Sequence, residues 1–196
     1  MKTTLLALVA TALLVQTSLA QQSASNAMMK SMQSGMNQMM SMKTTGDPDH
    51  DFAMMLKMHH QSAVDMSDIE IKQGKNAQVM ALAKQIKTAN QKEIGELTTF
   101  MKSHKPKSTS SKLNQKAMTI MHSGSHSMNG NVDHDFASMM AQHHQQGVDM
   151  AKAFLNEAGP PSGKTEKMKT MAQKVVRDQS KEITELKKLE TQLASR

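Results

Sequence analysis

The chain of 196 residues contains no cysteine. That absence excludes disulfide staples, zinc sites built on thiolates, haem attachment through C-x-x-C-H and thiol redox chemistry. It also has no Trp and no Tyr, and only four Phe. A protein that binds single-stranded nucleic acid without aromatic stacking platforms would rest on charge alone. The formal charge of +7 is therefore read as a solvated basic face on amphipathic helices, and no nucleic-acid partner is expected. No stretch alternates apolar and polar residues over strand length, which leaves no sheet in prospect. No Glu-x-x-His occurs anywhere, so a carboxylate-bridged di-iron bundle lacks its ligand motif.

Long apolar runs are also missing. The longest, Leu5–Val15, has the length of a signal-peptide core and is too short for a membrane span. Lys2 precedes it, and Ser18-Leu19-Ala20 follows as a small-x-small cleavage site. Residues 1–20 are thus expected to be a secretory signal, with a periplasmic or secreted product that has no membrane span after cleavage. Cleavage would remove Lys2 and leave a charge of +6 on the mature chain.

Methionine is what the chain has in excess, with 22 residues. Met is a flexible apolar side chain that fills irregular gaps in a core. Packing does not account for Met28, Met29, Met32, Met36, Met39, Met40 and Met42, which stand among Ser, Gln, Asn, Gly and Lys.

The chain also repeats itself. The segment DHDFAMMLKMHHQSAVDM begins at Asp49, and DHDFASMMAQHHQQGVDM begins 84 residues later at Asp133, with 12 of 18 positions identical. Further on, Lys92-Glu93-Ile94 and Glu96-Leu97 match Lys181-Glu182-Ile183 and Glu185-Leu186 at an offset of 89. Asp47 before Pro48, and Asn131 in the second copy, are helix N-cap signals. Gly74 and the Gly159–Gly163 stretch are stop signals. The spacing predicts helices over about 48–73, 77–102, 132–157 and 165–193. Each copy is then a helical hairpin, and the two hairpins predict an all-α protein, an antiparallel four-helix bundle. The expected organisation is a Met-rich N-terminal arm at 21–46, a first repeat at 47–103, a linker with a Met/His cluster at 104–131, and a second repeat at 132–196. Arm and linker are placed outside the bundle.

At 100° per residue, Met55, His59 and Met66 fall within one apolar sector of the first helix, and Met139, His143 and Met150 within the matching sector of the second copy. His60 and His144 lie on its rim. Thioether sulfur is soft and selects Cu(I), while imidazole also serves Cu(II). These eight residues are the candidate metal ligands. A second cluster, Met118, Met121, His122, His126 and Met128, offers loop ligands in the linker. The stripe Met28, Met32, Met36 and Met39 either captures Cu(I) or packs on the bundle. Asp51 and Asp135 are either ligands or first-turn acids that favour the helix dipole. Copper is the expected ion, Cu(I) with Cu(II) besides, and silver its mimic. The expected partners are metal ions and a copper-transfer protein.

The pattern D-x-D-F-x-x-M-x-x-H-H-x-x-x-V-D-M, present from Asp49 and again from Asp133, resembles a bacterial family of ferritin-like helical domains defined by this HH-containing helix. The resemblance spans about residues 47–195 and implies a ferritin-like four-helix bundle that sequesters copper outside the cytosol. Two methionines of the first copy are replaced in the second: Met54 becomes Ser138, and Met58 becomes Gln142. A binding protein and not an enzyme is expected. The competing possibilities are a cuproxidase, because His and Met together hold both copper states, and a metal-free interaction module with a Met-rich surface.

Overall fold

A computed structural model describes residues 2–107, 113, 119–120, 128–156 and 165–194, with side chains from residue 19 onward. Five helices are described: α1 (Lys2–Met40), α2 (Pro48–Gln73), α3 (Ala77–Ser103), α4 (Val132–Asn156) and α5 (Glu166–Ala194). There is no strand among the described residues. No described helix is long and apolar enough to cross a membrane.

The helix starts follow from side chains that satisfy the first backbone amides. Asp47 Oδ1 accepts from the amides of Asp49 and His50, both at 3.0 Å, and Pro48 opens α2 where no donor is needed. Asn131 does the same for Asp133 at 3.0 Å and His134 at 3.3 Å. Asn76 caps α3 through Gln78 at 2.9 Å. Gly46 and Gly130 precede the α2 and α4 caps with φ of 80° and 84°, a left-handed turn that suits glycine.

α2 packs on α3, α4 on α5, and α2 on α4. The order of contacts shows antiparallel packing. Asp47 meets His104, His60 meets Glu93 and Asp68 meets Lys87, descending α3 as they climb α2. Across the α2–α4 seam, Phe52 stacks on Phe154 at 4.2 Å between centroids and His59 on His143 at 3.7 Å. This arrangement lets the first helix of each hairpin cap the second helix of the other. Asp49 accepts from the Thr165 amide just ahead of α5 at 2.5 Å, and Asp133 accepts from Lys75 and Asn76 just ahead of α3 at 3.0 and 2.8 Å.

The core falls into two apolar clusters. One holds Phe52, Met55, Leu56, Leu97, Met150, Phe154 and Val175. The other holds Met66, Leu82, Ile86, Phe136, Met139 and Leu186. Along each of α2 to α5, buried polar residues sit between members of the two clusters.

Residues 21–46 differ from the sequence expectation of an arm outside the bundle. Residues 21–40 continue α1, which packs on α2 and α4. Ala24, Met28 and Met32 belong to the second apolar cluster, and Gly35 sits so close to Ser62 that a Cβ there would overlap its hydroxyl. The physical reason is the Met stripe itself. Met28, Met32 and Met39 are buried while Met36 is half-buried, so the thioethers serve here as an apolar helix face.

Candidate metal centre

The HH pair of α2 and that of α4 meet in the middle of the molecule. His59 and His143 are 0% and 2% exposed, and their rings stack with an interplanar angle of 23°. His59 Nε2 donates to the His143 backbone carbonyl at 2.9 Å. Burial, and then the neighbouring histidines, push both rings well below the usual imidazole range, so they are neutral at physiological pH. A neutral ring that donates through Nε2 carries its lone pair on Nδ1. His59 Nδ1 has no protein partner, and neither ring nitrogen of His143 makes an aligned hydrogen bond, although that ring faces the His59 backbone.

His60 and His144 are fully buried and face glutamates on the partner helix of their own hairpin. His60 Nε2 lies 2.6 Å from Glu93 Oε2, and His144 Nε2 lies 2.9 Å from Glu182 Oε2, off the line of a hydrogen bond. Glu93 also takes an ion pair from Lys174. Burial pushes the Glu93 carboxyl up, but the contacts with His60 and Lys174 outweigh it and hold the group below its usual range. Nδ1 of His60 and of His144 is buried without a partner. Asn90 and Gln179 complete the layer; their side-chain oxygens are likewise unpartnered. Asn90 and Gln179 match at the same offset of 89 residues as Glu93 and Glu182.

The thioethers flank this layer. All of Met55, Met66, Met139 and Met150 are buried, as the helical sector requires. Antiparallel packing then pairs them differently from a single shared sector. Met55 lies with Met150 in one apolar cluster and Met66 with Met139 in the other, so methionines stand on both sides of the histidines. Among the described residues, no three His, Asp or Glu side chains converge on one point at metal-binding distance.

Other candidates have structural partners. Asp51 accepts from Thr45 and Gly46 amides at 2.8 and 3.0 Å, and Asp135 from Asn129 and Gly130 at 2.9 and 3.0 Å. Both tie the preceding turn to its helix. Met118, Met121, His122 and His126 lie outside the described residues. Sequence reasoning missed Glu93, Glu182, Asn90, Gln179 and Lys174. The signal for the first two was present: the Lys-Glu-Ile match between the second helices of the hairpins.

Fold and layer together define an all-helical protein whose central polar stratum comes from four helices and two copies of one motif. The chain belongs to the DUF305 family, a domain of unknown function, matched over residues 49–190. That span contains both HH helices. No curated protein matches the chain, and no solved structure does.

Proposed function

We propose that this protein is exported and sequesters copper, Cu(I) before Cu(II), in the service of copper resistance or homeostasis. The observation that carries this is the set of buried ring nitrogens without an aligned hydrogen bond at His59, His60, His143 and His144. A buried polar group left unpartnered costs about 1–3 kcal/mol, and a core that keeps several invites a functional account. Imidazole nitrogens bordered by thioethers make a soft donor set suited to Cu(I), with silver as its mimic. The thioethers carry no charge, which suits a protein with a net charge of +7. We take α2 to α5 as the ferritin-like four-helix bundle that carries the duplicated motif. The Met-rich, duplicated arrangement with a secretory signal resembles the periplasmic copper-binding protein CopM. Copper is cargo in this proposal, and the protein is not an enzyme.

The test is an anaerobic titration of residues 21–196 with Cu(I) against a chromogenic chelator, with Cu(II) and Zn(II) in parallel. Tight uptake of more than one Cu(I), weaker Zn(II) and no turnover of Cu(I) in air are expected. His59→Ala combined with His143→Ala should remove at least one equivalent. Failure to compete for Cu(I) overturns the proposal and leaves the methionines as packing.

A further inference from the structure

We infer that Glu93 and Glu182 are positioning residues that hold the Nε2–H of His60 and His144, and so present Nδ1 of each ring as a copper ligand. This rests on the copper proposal and assigns its ligand atoms.

The arrangement repeats in both hairpins, as a hydrogen bond in the first and as a carboxylate facing the ring off the hydrogen-bond line in the second. A glutamate on the second helix lies against Nε2 of the second histidine of the HH pair, at 2.6 Å for Glu93 and 2.9 Å for Glu182. An ionised carboxylate only accepts, so the proton between the two groups belongs to the ring. A neutral imidazole protonated at Nε2 has its lone pair at Nδ1. Both Nδ1 atoms are buried and make no contact with a donor or acceptor. The opposite protonation, Nδ1–H, would bury an orphan donor and set two acceptors, Nε2 and carboxylate, against each other. Carboxylate, histidine and metal in line is the arrangement in which an outer carboxylate fixes the tautomer and raises the basicity of the ligating nitrogen.

The two copies differ in the surroundings of the glutamate. Lys174 pairs with Glu93, whereas the position matching Lys174 in the first hairpin is Gln85. Glu93 is buried, and the Glu182 side chain is 22% exposed. His60 is therefore the more firmly set of the two rings.

The experiment has a metal-free arm and a copper arm. Long-range proton–nitrogen correlation spectra of the 15N-histidine-labelled protein at neutral pH report which ring nitrogen carries the proton. The expected result is Nε2–H with an unprotonated Nδ1 at His60 and His144. An Nδ1–H tautomer, or a doubly protonated ring at both sites, overturns the inference. In the copper arm, Glu93→Gln and Glu182→Gln should each weaken Cu(I) binding by about 10–100-fold with little change in the melting of the metal-free protein, and Glu93→Asp should restore part of it. Unchanged affinity in both Gln variants, with the parent protein binding normally, overturns the ligand assignment and leaves the copper proposal standing. If the parent protein takes up no copper, the copper proposal and the ligand role fall together. The metal-free spectra then still decide whether the glutamates orient the rings.

Discussion

The rings of His59 and His143 stack at 3.7 Å between centroids at the seam of α2 and α4, and burial holds both neutral. A base whose folded pKa is depressed binds protons only in the unfolded chain as the pH falls below its ordinary value near 6.5. Stability of the metal-free protein should therefore drop with acidification, by roughly 1 kcal/mol per pH unit for each ring. Urea midpoints between about pH 7.5 and 5.5 check this, and His59→Gln with His143→Gln should flatten the slope. A midpoint that ignores pH in the parent protein would mean that the stacked pair takes up protons without unfolding.

A tighter constraint on the same pair comes from Gly147. A Cβ there would sit 2.8 Å from His59 Cε1 and would overlap the Gln179 amide oxygen. Gly147→Ala should destabilise the fold by about 1–3 kcal/mol. Gly95, also helical, has nothing within 4 Å of its Cβ direction, so Gly95→Ala should stabilise by about 0.5–1 kcal/mol. Opposite signs in thermal melts of the two variants are the outcome to look for; equal effects would show that helix propensity alone decides.

Much of this layout was legible in the chain. The ends of α2 to α5 lie within a residue of where Asp47, Gly74, Asn131 and the two offsets place them, because capping and stop signals are local. The burial of His59, Met55 and Met66 follows from helical periodicity. What is not local was not legible. The stacking of His59 on His143 and the capping of α5 by Asp49 depend on antiparallel packing between hairpins. Glu93 and Asn90 read as ordinary polar residues of α3 until His60 and the buried layer are placed against them. α1 escaped because its buried face is written in Met among Ser, Gln and Asn, a composition that serves metal capture and packing equally well.

Glu70 breaks the internal symmetry. It occupies the place of Phe154 in the other copy and is fully buried beside Asp133. Burial, and then the neighbouring Asp133, push its carboxyl up to about 9. The folded state thus keeps a proton that the unfolded chain releases near its ordinary value of 4.5. Its contribution to stability is present below that value and is lost as the pH rises toward 9. Glu70→Leu should stabilise the protein more at pH 8 than at pH 5, by a difference on the order of 4 kcal/mol. Urea melts of parent and variant at the two pH values give it directly. Identical differences at both would show that Glu70 is ionised in the fold.

α1 offers the sharpest choice between two roles for one methionine stripe. Met28 is completely buried and shares a cluster with Met66 and Met139, whereas Met36 is only half-buried. If the stripe is core, Met28→Ala leaves a void and should cost about 2–5 kcal/mol. Met36→Ala should then cost much less, and deleting residues 21–40 should lower the melting temperature and expose apolar surface to a dye. If the stripe is instead a free capture arm, Met28→Ala leaves the melt unchanged and lowers the copper count. Close packing at Gly35 and Ser62 favours the first outcome, because a helix that dispenses with a Cβ at its crossing point is seated on its neighbour. Gly35→Leu should therefore loosen α1 as Met28→Ala does, although it removes no thioether.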